Sequence, residues 1–259
     1  MKTLLAGPWL SEFGWELMTW IPAIRARSRN YDKTVCICKK GHNYLYEDFA
    51  DIILNYDKKG LPDRWLLDGK KVVLPEKFRE MPFKADIITP RKSVCNEWKR
   101  EYYKYGWNYG IDGIDNYDLV IHARACEKYD RQKRNWPVYK YEALIKILNV
   151  EKVCCVGTDA HYVQGTRDLR NIELDDLCDV LVNSKVMLSP SSGPAHLAGL
   201  CGCSHVVMTD NTYQKSVKGT NKDRYKKIWN PFMTPCKVLD RHNWQPPVNT
   251  VAKALEKFL

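Results

Sequence analysis

Short apolar runs of four or five residues alternate with amphipathic segments along most of this chain, and the runs close on turns of small or polar residues. The alternation is sharpest at residues 186–200. Val186-Met187-Leu188 reads as a buried strand, Ser189 to Gly193 as a turn, and Pro194-Ala195-His196-Leu197-Ala198-Gly199-Leu200 as a helix with proline in its first turn. Strand, small turn and helix in that order leave backbone N–H groups at the helix start facing an anionic ligand, in the favourable field of the helix dipole. Ser191, Ser192 and Gly193 supply the hydroxyls and amides, and His196, one turn on, is placed to donate to the same ligand. An ordinary N-capped helix with a structural histidine explains the same letters, so the neighbouring segments decide.

Those segments repeat the pattern. Residues 2–6 read as a first strand, a loop containing Trp9 and Glu12 follows, and residues 15–27 have helical spacing with Leu17, Trp20, Ile21 and Ile24 on one face and either a kink or the start of a second segment expected at Pro22. Thr34 to Cys38 is a second strand, Tyr44 to Leu54 a predicted helix, Lys71 to Leu74 a third strand and Asp86 to Thr89 a fourth. Gly110 to Asn116 punctuates the chain, after which the series restarts: strand 117–122, helix 136–148, strand 152–156, helix 171–183, the 186–200 unit and strand 205–208. Such alternation predicts an α/β fold of two Rossmann-like domains with an interdomain cleft, spanning 1–112 and 113–245. A last helix after Pro246-Pro247, within 246–259, is expected to return to the first domain.

The 259 residues are 44% hydrophobic and 28% charged, which fits a globular chain with a substantial core. No apolar run approaches the roughly 18 to 20 residues of a membrane span, and the opening residues lack a signal-peptide core, so a cytoplasmic protein without an integral membrane segment is expected. Ten cysteines would indicate disulfides in a small secreted chain, but Cys36, Cys38, Cys154 and Cys155 sit inside strand-like runs as buried thiols would, and no C-x-x-C pair suggests a structural metal. A net charge of +10 favours polyanionic partners. Basic residues gather at 128–134 and 215–227, both read as loops, and Lys and Arg interleave with aromatic residues over 97–110.

Three loops at carboxyl ends of strands in the second half converge where open α/β sheets bind ligands: His122-Ala123-Arg124, Gly157-Thr158-Asp159, and Ser189 to His196. Guanidinium, backbone amides and hydroxyls together suit a diphosphate. In this order, His122-Ala-Arg, Arg134-Asn-Trp-Pro, Val156-Gly-Thr and Ser191-Ser-Gly-Pro-Ala-His-Leu-Ala resemble the carboxyl half of heptosyltransferase-like glycosyltransferases of the GT-B fold, over residues 117–210. In that family a D-S/T-G-x-x-H-L-A segment binds the donor diphosphate; Ser191 replaces its Asp here, and the phosphate-binding cation is ambiguous among Arg131, Lys133 and Arg134. Gly14-Trp-Glu16-Leu-Met-Thr-Trp-Ile-Pro22-Ala is similar to the family's G-D-x-x-x-x-x-P-A with one residue inserted. Aligned from the proline, the family's proposed catalytic base falls on Glu16, with Glu12 in the loop as a second candidate.

The resemblance implies an inverting, metal-independent glycosyltransferase with no cofactor beyond a UDP- or ADP-linked sugar. Glu12 or Glu16 would be its base, and Arg124, Arg134, Gly157, Thr158, Ser191, Ser192, Gly193 and His196 its donor site. With Trp9, Lys99, Tyr103 and Lys215 as acceptor contacts, the basic segments suit duplex DNA carrying a hydroxymethylated base, which is the expected acceptor because the chain is short for a surface-glycan enzyme and shows no apolar amphipathic anchor. The alternatives are lipopolysaccharide or another surface glycan, or a non-catalytic nucleotide- or nucleic-acid-binding module.

Overall fold

The computed structural model describes residues 1–56, 74–78, 84–90, 94, 99–106, 116–127, 129–214 and 219–259. The chain separates into two compact units, Met1–Tyr103 and Lys104–Leu259, so the division falls before the Gly110 to Asn116 punctuation rather than within it.

Unit 1 holds a parallel four-stranded sheet in the order β3-β2-β1-β4, built from β1 (Thr3–Ala6), β2 (Lys33–Cys38), β3 (Ile52–Asn55) and β4 (Asp86–Ile88). In β1 and β2, runs such as Leu4-Leu5-Ala6 and Val35-Cys36-Ile37 are buried throughout, as strands covered on both faces must be. Leu5, Val35, Ile37, Leu74 and Phe78 form one core cluster. The helix predicted over 44–54 is not formed. A 3-10 turn at Asn43–Leu45 is followed instead by β3, because Ile52-Ile53-Leu54 pairs with Val35 to Ile37 and sheet pairing overrides the local helical spacing. The strand expected at 71–74 lies, except for Leu74, outside the described residues.

The first helical segment is continuous but not uniform. A short turn, α1 (Phe13–Trp15), leads into a five-residue π-helical turn, Glu16–Trp20, and then into α2 (Ile21–Ser28). The Ile21 N–H reaches back five residues to the Glu16 carbonyl. Pro22 therefore lies in the first turn of α2, where its missing N–H costs little: of the two expectations for this residue, it starts a second segment, which the widened turn joins to the first. Arg25, buried at 4% exposure, ties this helix down: Nε and Nη2 hold Asp48 at 2.7 and 2.9 Å, and Nη1 donates to the Glu101 carbonyl at 2.8 Å.

Unit 2 holds a parallel six-stranded sheet in the order β10-β9-β8-β5-β6-β7. Its strands are β5 (Leu119–Ile121), β6 (Val153–Val156), β7 (Arg167–Leu169), β8 (Val186–Pro190), β9 (Ser204–Met208) and β10 (Cys236–Leu239). The helices are α3 (Val138–Leu148), α4 (Leu174–Val182), α5 (Gly193–Cys201), α6 (Asn221–Lys227) and α7 (Val248–Leu255). The stretch 215–227, read as a loop, contains α6, which Thr220 and Asp223 start with a reciprocal capping box. The 128–134 loop likewise contains a 3-10 turn, Tyr129–Arg134.

The last helix stays with unit 2. Val251, Ala252, Ala254 and Leu255 of α7 pack into the cluster of Leu119, Ile121, Val186 and Leu188, and Trp136 Nε1 holds the preceding segment by donating to the Pro246 carbonyl at 2.9 Å. An expected return to the first domain is thus corrected by the apolar face of α7, which finds its partner on the second sheet. Leu255→Ala should lower the stability of unit 2 by about 3 kcal/mol, read from urea denaturation, since it leaves a cavity in that cluster.

Candidate active site

The order of the second sheet places a topological switch point between β5 and β8, the crevice where open α/β sheets take their ligands. The His122 N–H donates to the Leu188 carbonyl at 3.0 Å, and the two strands part beyond it. His122, 5% exposed, fills the floor of the opening. Its Nδ1 lies 3.1 Å from Ser189 Oγ and 3.2 Å from Ser192 Oγ. Both hydroxyls donate to the Pro190 carbonyl, at 2.7 and 2.9 Å, which leaves the imidazole Nδ1–H as donor to them. Burial, helped by Arg124, pushes His122 down to about 4, so the ring is neutral.

Ser192 is the N-cap residue of α5, yet its side chain makes no capping hydrogen bond because it is turned onto His122 and Pro190. The amides at the start of α5 are thereby left without the usual side-chain cap. Ser191 accepts from the Tyr225 hydroxyl at 3.2 Å. His196 is 6% exposed, stacked on Tyr225 and edge-on to Trp229, and its Nδ1 has no hydrogen-bond partner among the described residues. Burial, then His205 and Arg224, push it down to about 3.

The other two loops close on this opening. Ala125 N–H donates to the Asp159 carbonyl and His161 N–H to the Ala123 carbonyl, so the loops after β5 and β6 are zipped around Arg124. Arg124 Nη1 donates to Asn135 Oδ1 at 3.2 Å. Gly157 has φ +112°, and a Cβ there would lie 2.6 Å from the His122 ring, so glycine is required both for the turn and for the histidine. Thr158 is exposed beside it. The Arg134 guanidinium lies 4.7 Å from the Trp244 ring.

A further polar cluster escaped the sequence reading. Beyond β9, Asn221 Nδ2 donates to Thr209 Oγ1 at 2.7 Å and approaches Asp210 Oδ1 at 3.4 Å, all three residues being buried. Its only linear signal was Thr209-Asp210 directly after an apolar strand.

In unit 1 the two candidate carboxylates differ. Glu12, half-buried, precedes α1, and its carbonyl accepts from Trp15 and Glu16 N–H. Glu16 is fully buried: Oε1 accepts from the Tyr46 hydroxyl at 2.7 Å and Oε2 faces His42 Nδ1 at 2.8 Å. Trp9 is also fully buried, stacked on Trp20 with centroids 5.8 Å apart, so the expectation that it touches an acceptor is corrected: its ring belongs to the core. Lys99 is exposed, and the Tyr103 ring lies 5.5 Å from the Arg25 guanidinium. Lys215 lies outside the described residues.

No protein-family model matches the chain, and no curated protein matches it. Solved structures do. A glycosyl transferase family 9 protein from Veillonella parvula superposes with a TM-score of 0.62 at 11% identity, covering 99% of this chain and 97% of its own. The E. coli heptosyltransferase WaaC with ADP gives 0.59 at 12% identity with both chains fully covered, and the E. coli ADP-heptose lps heptosyltransferase II gives 0.57 at 14%, covering 100% of this chain and 98% of its own. The chain has the two-domain GT-B fold. Its likeness to the heptosyltransferase structures runs the length of both units, so the resemblance read in residues 117–210 extends to the whole chain at the level of the fold.

Two outcomes follow from the buried imidazoles and the glycine. His122, His196 and His205 are held at about 4, 3 and 4, below the ordinary histidine value, chiefly by burial. They stay neutral in the folded chain while the unfolded chain binds protons below about pH 6.5. Stability of unit 2 is therefore full above that value and falls as the pH drops towards 4, each histidine contributing up to about 1.4 kcal/mol per pH unit. Urea midpoints measured across this range should fall accordingly, and a flat profile would contradict the burial. Gly157→Ala should cost about 1–3 kcal/mol and displace His122, seen as a lower melting temperature and a shifted imidazole resonance.

Proposed function

We propose that this chain is a glycosyltransferase that moves a sugar from a nucleotide-diphosphate donor to an acceptor hydroxyl. The observation that carries it is the uncapped start of α5, set at the switch point next to the β5 loop, with Ser192 turned away from its own helix onto His122. A diphosphate fits there because the amides of Gly193 and Ala195 and the helix dipole meet its charge. Arg124 and Arg134 add cations, Gly157 and Thr158 a close-approach loop, and the neutral His196 an unused ring nitrogen. These groups stabilise the departing diphosphate. The GT-B fold supports the reading, as does the presence of ADP in the E. coli WaaC structure, which makes an ADP-linked sugar the first donor to try. Unit 1 supplies the acceptor side, with Glu12 and Glu16 as its sequence candidates for the base.

For the acceptor, the lipopolysaccharide or surface-glycan alternative is preferred to DNA. One structural neighbour is named for lipopolysaccharide heptosyl transfer, and the net charge of +10 suits a phosphorylated saccharide as well as a nucleic acid. Of the four residues named as acceptor contacts, Trp9 is buried and Lys215 lies outside the described residues. Among the described residues no helix is long and apolar enough to cross a membrane, so such an acceptor would be met at a surface.

The donor site is tested by calorimetry with ADP and UDP. Ser192→Asp installs a carboxylate cap on α5, which should leave the fold intact or firmer while weakening nucleotide diphosphate binding at least about tenfold, or 1.4 kcal/mol. Unchanged affinity in both Ser192→Asp and Arg124→Ala would move the donor elsewhere. Transfer of label from ADP- and UDP-sugars to lipopolysaccharide core supports the acceptor assignment, whereas label found only in hydroxymethylated duplex DNA reverses it.

A further inference from the structure

The buried Glu16 cannot itself meet an acceptor, because it is fully enclosed and both carboxylate oxygens are engaged. Its contact with His42 is the way out. His42 stands in the loop after β2, at the carboxyl edge of the first sheet, where ligands of such sheets bind. The Tyr46 hydroxyl donates to Oε1, and burial foremost, then the Glu16 charge, pushes that phenol well above its ordinary value, so it remains a donor. A carboxylate can only accept, so Oε2 takes the proton on His42 Nδ1 and fixes the tautomer that leaves Nε2 with a free lone pair. Among the described residues Nε2 has no hydrogen-bond partner, and the side chain keeps 20% of its surface exposed. The Phe13 ring meets the imidazole edge-on at 5.4 Å between centroids and limits its rotation.

We infer that His42 is the catalytic base of unit 1 and that Glu16 is its positioning residue, an inference that rests on the glycosyltransferase reading. In the step, the acceptor O–H bond breaks, the proton passes to His42 Nε2, and the oxygen's electron pair forms the new bond to the anomeric carbon. The bond from that carbon to the diphosphate oxygen breaks, and its pair leaves with the diphosphate. The imidazolium, stabilised by Glu16, then returns its proton to solvent. Carboxylate, imidazole and reacting hydroxyl act in the order of the hydrolase triads, with the carboxylate holding the ring rather than taking the proton.

The test uses the full chain, with ADP and UDP as binding probes and ADP-heptose, UDP-glucose and UDP-N-acetylglucosamine as donors, water standing in for the acceptor. Failure of every nucleotide to bind brings down the reading beneath the inference; binding that persists isolates the base. His42→Gln and His42→Ala should lower sugar release at least about a hundredfold while nucleotide affinity stays within about twofold, and added imidazole should restore part of the activity of His42→Ala. Glu16→Gln should lower kcat for release less than His42→Gln does, with nucleotide affinity again within about twofold, because the ring then loses the acceptor that fixes its tautomer. A Glu16 of purely structural value would reduce the folded fraction without lowering the turnover of the protein that remains folded or changing which nitrogen of His42 carries the proton. The inference is overturned if nucleotide binds and His42 variants release sugar at the wild-type rate, or if Glu12→Gln alone abolishes release. Nitrogen-15 histidine spectra give a reading independent of turnover: His42 protonated at Nδ1 supports the proposal, and protonation at Nε2 in the neutral ring sinks it.

Discussion

The pairing of β5 with β8 is the constraint on which unit 2 depends. Three strands extend from it in one direction and three in the other, so the loops leaving β5 and β8 are forced apart and a crevice opens at their carboxyl ends. Polar groups on its floor must be satisfied internally, and they are: His122 donates to two serines, whose protons go to one proline carbonyl. That arrangement takes Ser192 away from the role its position would assign it. Caps are worth on the order of 1 kcal/mol, so a serine at N-cap that does not cap leaves helix stability unclaimed, and the exposed amides become a feature that a ligand can complete.

Unit 1 shows the same economy with opposite charge. A fully buried carboxylate is tolerable only when hydrogen bonds replace its water, and Tyr46 and His42 provide them from a single short turn and its neighbour. The ring that performs this service is thereby held with one nitrogen spoken for and the other outward. Arg25 organises the adjoining segments in parallel, its fork holding Asp48 while a third donor reaches Glu101.

Much of the fold was legible from periodicity because parallel strands buried on both faces spell continuous apolar runs, as in 119–121, 153–156 and 206–208. Edge elements were not: β7 is Arg-Asp-Leu, with a single apolar residue to announce it, and α6 carries its start signal in Thr220 and Asp223 beneath a crowd of lysines. The 44–54 error has a physical source, since helical spacing and a half-buried edge strand compete for the same isoleucines and only the partner strand decides. For the site, the turn before α5 was readable because its chemistry is local. The burial of Trp9 and Glu16 was not legible because it depends on contacts distant in sequence, with Trp20 in one case and with His42 and Tyr46 in the other.

The wide turn at Glu16–Trp20 lets a helix admit one surplus residue without passing the shift on to either end. Letters on the two sides of such a turn obey different registers, so a motif that straddles it cannot be matched from both flanks at once. Counting from the glycine puts Trp15 where a carboxylate belongs, and counting from the proline puts Glu16 there. Gap-averse alignment of related chains would hide this acidic position, and sorting them by where the backbone widens would bring it into view.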